Sequence, residues 1–142
     1  MKKKRYKGRD IYELSNEECE MMFSEEDKAI VNAYVQKPSQ RFAVSVMTKK
    51  GNIYTGASYV SDTLTLTLHS EASALAHAAN HGETDIVAIT GPNCHICKQL
   101  IWESSLRSGI EVVVVIKENG RVKQIPISEL MLYPWPERKK KE

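Results

Sequence analysis

His69-Ser-Glu-Ala-Ser-Ala-Leu-Ala-His-Ala-Ala79, followed after Asp85-Ile-Val-Ala-Ile-Thr90 by Gly91-Pro-Asn-Cys-His-Ile-Cys97, decides how this chain is read. From Ser70 the first stretch is rich in alanine, the best helix former, and Asn80-His-Gly82 supplies the stop. Residues 85–90 form a short apolar run of strand length. Gly91-Pro92-Asn93 then turns the chain into a second helix over about Cys94–Leu106, ended by Gly109. Each helix therefore opens straight after an extended or turn segment, with candidate ligands in or beside its first turn. These are His69, Ser70 and Glu71 in one case, and Cys94 and Cys97 in the other. In open α/β sheets helix N-termini gather at one edge, where ligands bind.

Working outward, Ser24-Glu-Glu-Asp27 resembles a capping box, and Ala29, Ile30, Ala33 and Tyr34 follow at helical spacing, predicting a helix to about Gln36. Phe42, Val44 and Val46 alternate as in a half-buried strand, and Gly51 turns the chain back into a second strand over 53–58. Thr63-Leu-Thr-Leu-Thr-Leu68 alternates strictly and by period reads as a strand, with a loop wall or a first helical turn as alternatives. Residues 110–117 and 122–127 read as a hairpin turned by Asn119-Gly120, and Ser128–Leu132 as a last short helix before Pro134 and Pro136. The order α-β-β-α-β-α-β-β-α predicts one mixed sheet carrying helices.

At 142 residues and 16.1 kDa the chain is one domain's worth. With 42% hydrophobic and 27% charged residues it is neither disordered nor fibrous. The longest apolar block, Val112–Ile116, is far short of a membrane span, and Met1-Lys-Lys-Lys-Arg5 leads into polar residues rather than a secretory core. Three cysteines do not make a disulfide framework, so a reducing, cytoplasmic setting is expected. Six Lys/Arg in residues 1–9, and four against two Glu in 137–142, put +8 in the ends and leave −6 for residues 10–136. Residues 1–23 are thus read as a basic, partly flexible extension, 24–136 as the folded domain and 137–142 as a basic tail. Weak tethering to RNA or another polyanion is the secondary reading of such ends.

Cys94 and Cys97, three apart, share one helix face at the positive end of its dipole, which favours thiolate and metal binding. His69 supplies a third ligand and leaves one tetrahedral position open, as in catalytic rather than structural zinc sites. A structural site has no use for Glu71 two residues on; a hydrolytic site needs a group to carry protons.

His69-x-Glu71 followed by Cys94-x-x-Cys97 resembles the zinc-binding pattern of the cytidine deaminase superfamily. The resemblance covers about residues 42–133: Phe42-Ala-Val resembles the family's first strand, Lys98-Gln99 its Arg-Gln, and Ile127-Ser-Glu-Leu-Met-Leu-Tyr-Pro134 its closing helix. It implies a three-layer α-β-α sandwich with one mixed five-stranded sheet, close to the small nucleoside branch of cytidine and blasticidin-S deaminases. It further implies one zinc ion per chain on His69, Cys94 and Cys97, with Glu71 as catalytic proton carrier, and hydrolytic release of ammonia from an aminated base or nucleoside. Phe42 would cover the ring, Ser70 would hold its polar edge, and the chain would form a homotetramer or dimer.

Three departures stand out. The branch usually reads Cys-Ala-Glu-Arg where this chain reads His69-Ser-Glu-Ala72; a neutral imidazole in place of a thiolate removes the need for the arginine. At the family's ribose-binding Asn and Glu stand Ser58 and Val60, so Ser58 retains one hydrogen bond and ordinary cytidine is in doubt. Asn93 intervenes between Pro92 and Cys94, and His95 follows, either as a surface residue or reaching the substrate. A thioredoxin-like redox role for Cys94-x-x-Cys97 leaves His69-x-Glu71 without a purpose. A non-catalytic zinc-binding relative and a deaminase acting on RNA or DNA through the basic ends are the rival functions. His77 and His81 read as a packing or surface residue and a C-cap, Cys19 as a buried thiol, and Tyr133 and Trp135 as sheet-packing or oligomer contacts.

Overall fold

The structure is a computed structural model and describes residues 1–138. Strands β1 (Lys2–Tyr6) and β2 (Arg9–Glu13) precede helix α1 (Asn16–Ala29); β3 (Ala43–Thr48), β4 (Ile53–Ala57), α2 (Ser70–Asn80), β5 (Ile86–Thr90) and α3 (His95–Ser108) follow. The chain continues through β6 (Ile110–Glu111), β7 (Val113–Glu118) and β8 (Arg121–Pro126) to a 3-10 turn at Ile127–Leu130. Five strands form the expected mixed sheet in the order β4-β3-β5-β7-β8. β3 is antiparallel to β4 and β5, β5 is parallel to β7, and β7 is antiparallel to β8. Two buried clusters mark its faces. Val44, Val46, Ile89 and Val114 meet Ala74, Ala78, Ile101 and Trp102 of α2 and α3. Met47, Ala88, Val113 and Val115 meet Cys19 and Met22 of α1. Because helices cover both faces, β3 is buried at every position instead of half-buried as its alternation suggests.

Residues 1–23, expected as a basic, partly flexible extension, carry regular structure: two strands and the first half of α1. β1 and β2 form a hairpin, and β2 adds parallel to β6 to make a second, three-stranded sheet. The basic run of β1 is met by acids on β2: Arg5 with Asp10 at 2.6 Å, Lys3 with Asp10 at 3.4 Å, and Lys4 with Glu13. Helix α1 begins at Asn16, because the capping box that forms is Ser15-x-x-Glu18, with Ser15 Oγ accepting from Glu18 N at 3.1 Å and Glu18 Oε1 accepting from Ser15 N at 2.9 Å. Ser24–Asp27 lies within the helix. The α-helix ends at Ala29, short of Gln36, because Tyr34 is taken into strand-like bonds: its N–H donates to Ser58 O at 2.9 Å and its carbonyl accepts from Val60 N at 2.8 Å.

Residues 63–68 are a loop of turns rather than a strand. Leu64 takes a left-handed φ of 64°, and threonine and serine hydroxyls bond the local backbone, with Thr67 Oγ1 accepting from Ser61 N at 3.1 Å. Where Asn119-Gly120 predicts a hairpin turn, both residues have positive φ, 51° and 75°, between β7 and β8. The basic tail expected at 137–142 lies, from residue 139 on, outside the described residues. Arg138 is turned inward onto the fully buried Glu111.

Gly56 sets the seat of α2. A Cβ there would lie 2.2 Å from Ala74 N and 2.3 Å from Ser70 O, so only glycine lets the first turn of α2 rest on β4. Gly56→Ala is therefore expected to cost about 3 kcal/mol or more, read as a fall in urea midpoint. An unchanged midpoint would contradict this packing.

Candidate active site

The N-terminal ends of α2 and α3 meet beside the C-terminal end of β5. Cys94 is the N-cap of α3 and His69 the N-cap of α2, each in extended conformation, which points both side chains to the same gap. Cys97, in the first turn of α3, is buried behind them. The ligand atoms of His69, Cys94 and Cys97 lie within 4.8 Å of one another, with His69 Nδ1 3.6 Å from Cys94 Sγ and 3.3 Å from Cys97 Sγ. Tetrahedral zinc with Zn–S of about 2.3 Å and Zn–N of about 2.0–2.1 Å sets N and S about 3.5 Å apart, so the spacing and the donor set both fit. Burial, reinforced by Glu71 and Cys94, pushes the Cys97 thiol well above the ordinary range; a dication at the three donors would remove that proton.

Glu71 is buried next to this cluster. Ser70 Oγ donates to its Oε1 at 2.6 Å, and Asn93 Nδ2 donates to its Oε2 at 3.2 Å while also reaching Thr90 O at 3.1 Å. The carboxylate is thus held at both oxygens. A cavity of about 600 Å³ opens onto it, lined among others by Phe42, Val44, Ser58, Val60, Leu64 and Glu26.

Glu71, His69, Cys94, Phe42, Ser58 and Ser70 line this cavity, and Cys97 joins His69 and Cys94 in the three-donor cluster beside it. Phe42 lines the cavity and stands 61% exposed. Ser58 is buried, and its hydroxyl is committed: Oγ donates to Gln40 O at 2.7 Å and accepts from Phe42 N at 3.1 Å. It anchors the loop that carries Phe42 and keeps only one lone pair for a ligand. Val60 lines the cavity without any polar atom to offer. Ser70 turns its side chain to Glu71. His95 is exposed and outside the lining. His77 and His81 each bond a backbone carbonyl through Nδ1, at 2.9 Å.

Three residues escaped the sequence reading. Asn93 orients Glu71; its intrusion between Pro92 and Cys94 was the available signal. Thr90 and Glu26 gave none, because the geometry that matters joins α1 to the end of β5: Thr90 Oγ1 donates to Glu26 Oε1 at 3.1 Å. Burial, with the charges of Asp27 and Glu71 adding to it and the Thr90 bond opposing it, pushes the Glu26 carboxyl up to about 7. The folded chain then holds a proton that the unfolded chain releases near pH 4.5, so this contribution to stability is full below about 4.5 and lost as pH rises through about 7. Glu26→Gln does not titrate. Its Tm relative to the parent is expected to rise by at least about 3 °C between pH 5 and pH 8; a pH-independent difference would contradict the assignment.

A histidine and two cysteines around one gap, carried on helix N-termini of a three-layer sandwich, define the class of cytidine deaminase-like zinc-binding folds. The family described as the cytidine and deoxycytidylate deaminase zinc-binding region matches residues 16–117, and the chain belongs to this family. Among solved structures it is similar to the cytidine deaminase of Burkholderia pseudomallei, with 19% identity, TM-score 0.68, and 86% of this chain and 100% of that chain covered. The cytidine deaminase of Mycobacterium tuberculosis gives 21%, 0.65, 82% and 95%, and the Mycobacterium leprae cytidine deaminase 19%, 0.64, 87% and 100%. At these identities the likeness is one of fold. Comparison with curated proteins finds no match. Among the described residues no helix is long and apolar enough to cross a membrane.

Proposed function

We propose that this chain is a zinc-dependent hydrolytic deaminase that releases ammonia from an amino-substituted pyrimidine base or nucleoside. The observation that carries this reading is Glu71, buried and held at both oxygens beside a three-donor cluster that opens onto a cavity. A binding module would not need a carboxylate clamped in that position.

His69 Nδ1, Cys94 Sγ and Cys97 Sγ would hold one zinc ion, which supplies Lewis-acid activation of water when bound. Glu71 accepts the proton of the attacking water. It passes that proton to the ring nitrogen beside the amino-bearing carbon, then takes the second proton from the new carbon-bound hydroxyl and gives it to the amine, which leaves as ammonia as the ring carbonyl forms. Ser70 and Asn93 keep the carboxylate in one orientation through these transfers. Phe42 lies over the ring and the 61–68 loop walls off solvent through Leu64 and Thr67. Two thiols that must stay reduced to hold zinc suit a cytoplasmic setting. Leu132, Tyr133 and Trp135, highly exposed in the single chain, suit burial in a homotetramer or dimer. A nucleic-acid substrate is disfavoured, since acids on β2 partner much of the basic N-terminal run.

The test is ammonia release by the zinc-loaded chain over a panel of aminated bases, nucleosides and short RNA and DNA oligomers. Release from a base or nucleoside supports the reading. Release only from oligomers, or from no compound at all, contradicts it.

A further inference from the structure

The cavity contains a second carboxyl that the mechanism above leaves unused. Glu26 enters it from α1, the helix on the opposite face of the sheet from α2. Thr90 fixes the two carboxyls relative to each other. Its hydroxyl accepts from Ser45 N at 2.9 Å and donates to Glu26 Oε1 at 3.1 Å, while its carbonyl takes the Asn93 amide that also reaches Glu71. Thr90 is the sole side-chain hydrogen-bond partner of Glu26 among the described residues, so the remaining lone pairs of its carboxyl are free for a ligand. No Lys or Arg among the described residues lines the cavity, and much of its wall is Phe42, Ala43, Val44, Val60, Leu64 and Pro92. The thiolates of Cys94 and Cys97 would balance the charge of a bound zinc, so two carboxyls in an apolar pocket without Lys or Arg make an environment that favours N–H donors and positive charge and disfavours anions.

Resting on the deaminase reading, we propose that Glu26 is the specificity-determining residue of this pocket. It selects a phosphate-free aminated heterocycle that carries a second N–H donor or basic nitrogen besides the amino group that is removed. The committed hydroxyl of Ser58 and the apolar Val60 leave little grip for a ribose, so recognition falls to the ring and to Glu26. The upward shift of the Glu26 carboxyl has the same origin: an uncompensated acid whose ordinary ionisation returns when a ligand brings the missing donor.

The experiment uses the full, zinc-loaded chain carrying Glu71→Gln to suppress turnover, with and without Glu26→Gln. Calorimetry compares 2,4-diaminopyrimidine with cytosine, 2,6-diaminopurine with adenine, and cytidine 5′-monophosphate with cytidine. At least one diamino compound is expected to bind about tenfold or more tightly than its partner, the scale of one hydrogen bond to a charged group. Glu26→Gln is expected to bring that gap within about twofold, and the phosphate to weaken binding of cytidine. Glu26→Met, near in size and apolar, must give the same loss and serves if the Gln protein does not fold. Equal binding within both pairs, a gap that survives both substitutions, no binding of either diamino compound, or tighter binding of the phosphate would each overturn the proposal. Ammonia release by the parent chain is followed in parallel. Turnover without diamino preference removes the role of Glu26 and keeps the deaminase; preference without turnover does the reverse.

Discussion

Glu71→Gln is expected to keep one zinc per chain and to lower ammonia release by at least about a hundredfold, and by up to about ten-thousandfold, the range that a positioned acid–base group contributes. The substitution is well suited to the site. Gln keeps the size of the buried side chain, and its carbonyl can accept from Ser70 Oγ as Glu71 Oε1 does at 2.6 Å. What Gln cannot do is take a proton from water and return it to the ring and the leaving amine. Zinc by atomic emission, melting temperature and initial rates on the same sample separate this outcome from misfolding. Full activity in a zinc-loaded Gln variant would remove Glu71 from the mechanism.

Cys97→Ala is expected to be more severe, because it takes away a ligand as well as a rate. Cys97 is 2% exposed and lies nearest His69 of the two sulfurs. With two donors left, the geometry for tetrahedral zinc is gone, and retained zinc should fall from about one to below about 0.1 per chain, with loss of activity. A metal that binds only the folded chain stabilises it by an amount that grows with the logarithm of its affinity, so the zinc-loaded parent should lose several degrees of Tm on chelation while Cys97→Ala loses almost none. A variant that keeps zinc after dialysis, or a parent indifferent to chelator, would contradict the ligand assignment.

The parts of this site that are local in sequence were legible there. Ala-rich composition and Gly82 delimit α2, the turn at Gly91–Asn93 and Gly109 delimit α3, and the spacing of His69, Glu71, Cys94 and Cys97 survives folding because each residue sits at or near a helix start. The N-terminal hairpin was not legible. Lys2–Arg5 look like solvated charge until the register with Asp10 and Glu13 is known, and that register is a property of the pair of strands. The run from Ile110 reads as one strand, yet Ile110–Glu111 pairs with β2 and Val113 onward with β5, a division that no periodicity in a uniformly apolar stretch can reveal. Residues 63–68 alternate like a strand, but their hydroxyls bond their own backbone. Glu26 sat inside a pattern read as a helix cap; its place in the cavity depends on the crossing of α1 over the end of β5, which is tertiary information.

Zinc K-edge X-ray absorption on the loaded chain tests the central claim most directly. Two sulfurs at about 2.3 Å and two nitrogen or oxygen atoms at about 2.0–2.1 Å, one of them exchangeable with added ligand, are the predicted shell. A shell closed by four protein donors, or one lacking two sulfurs, would contradict it.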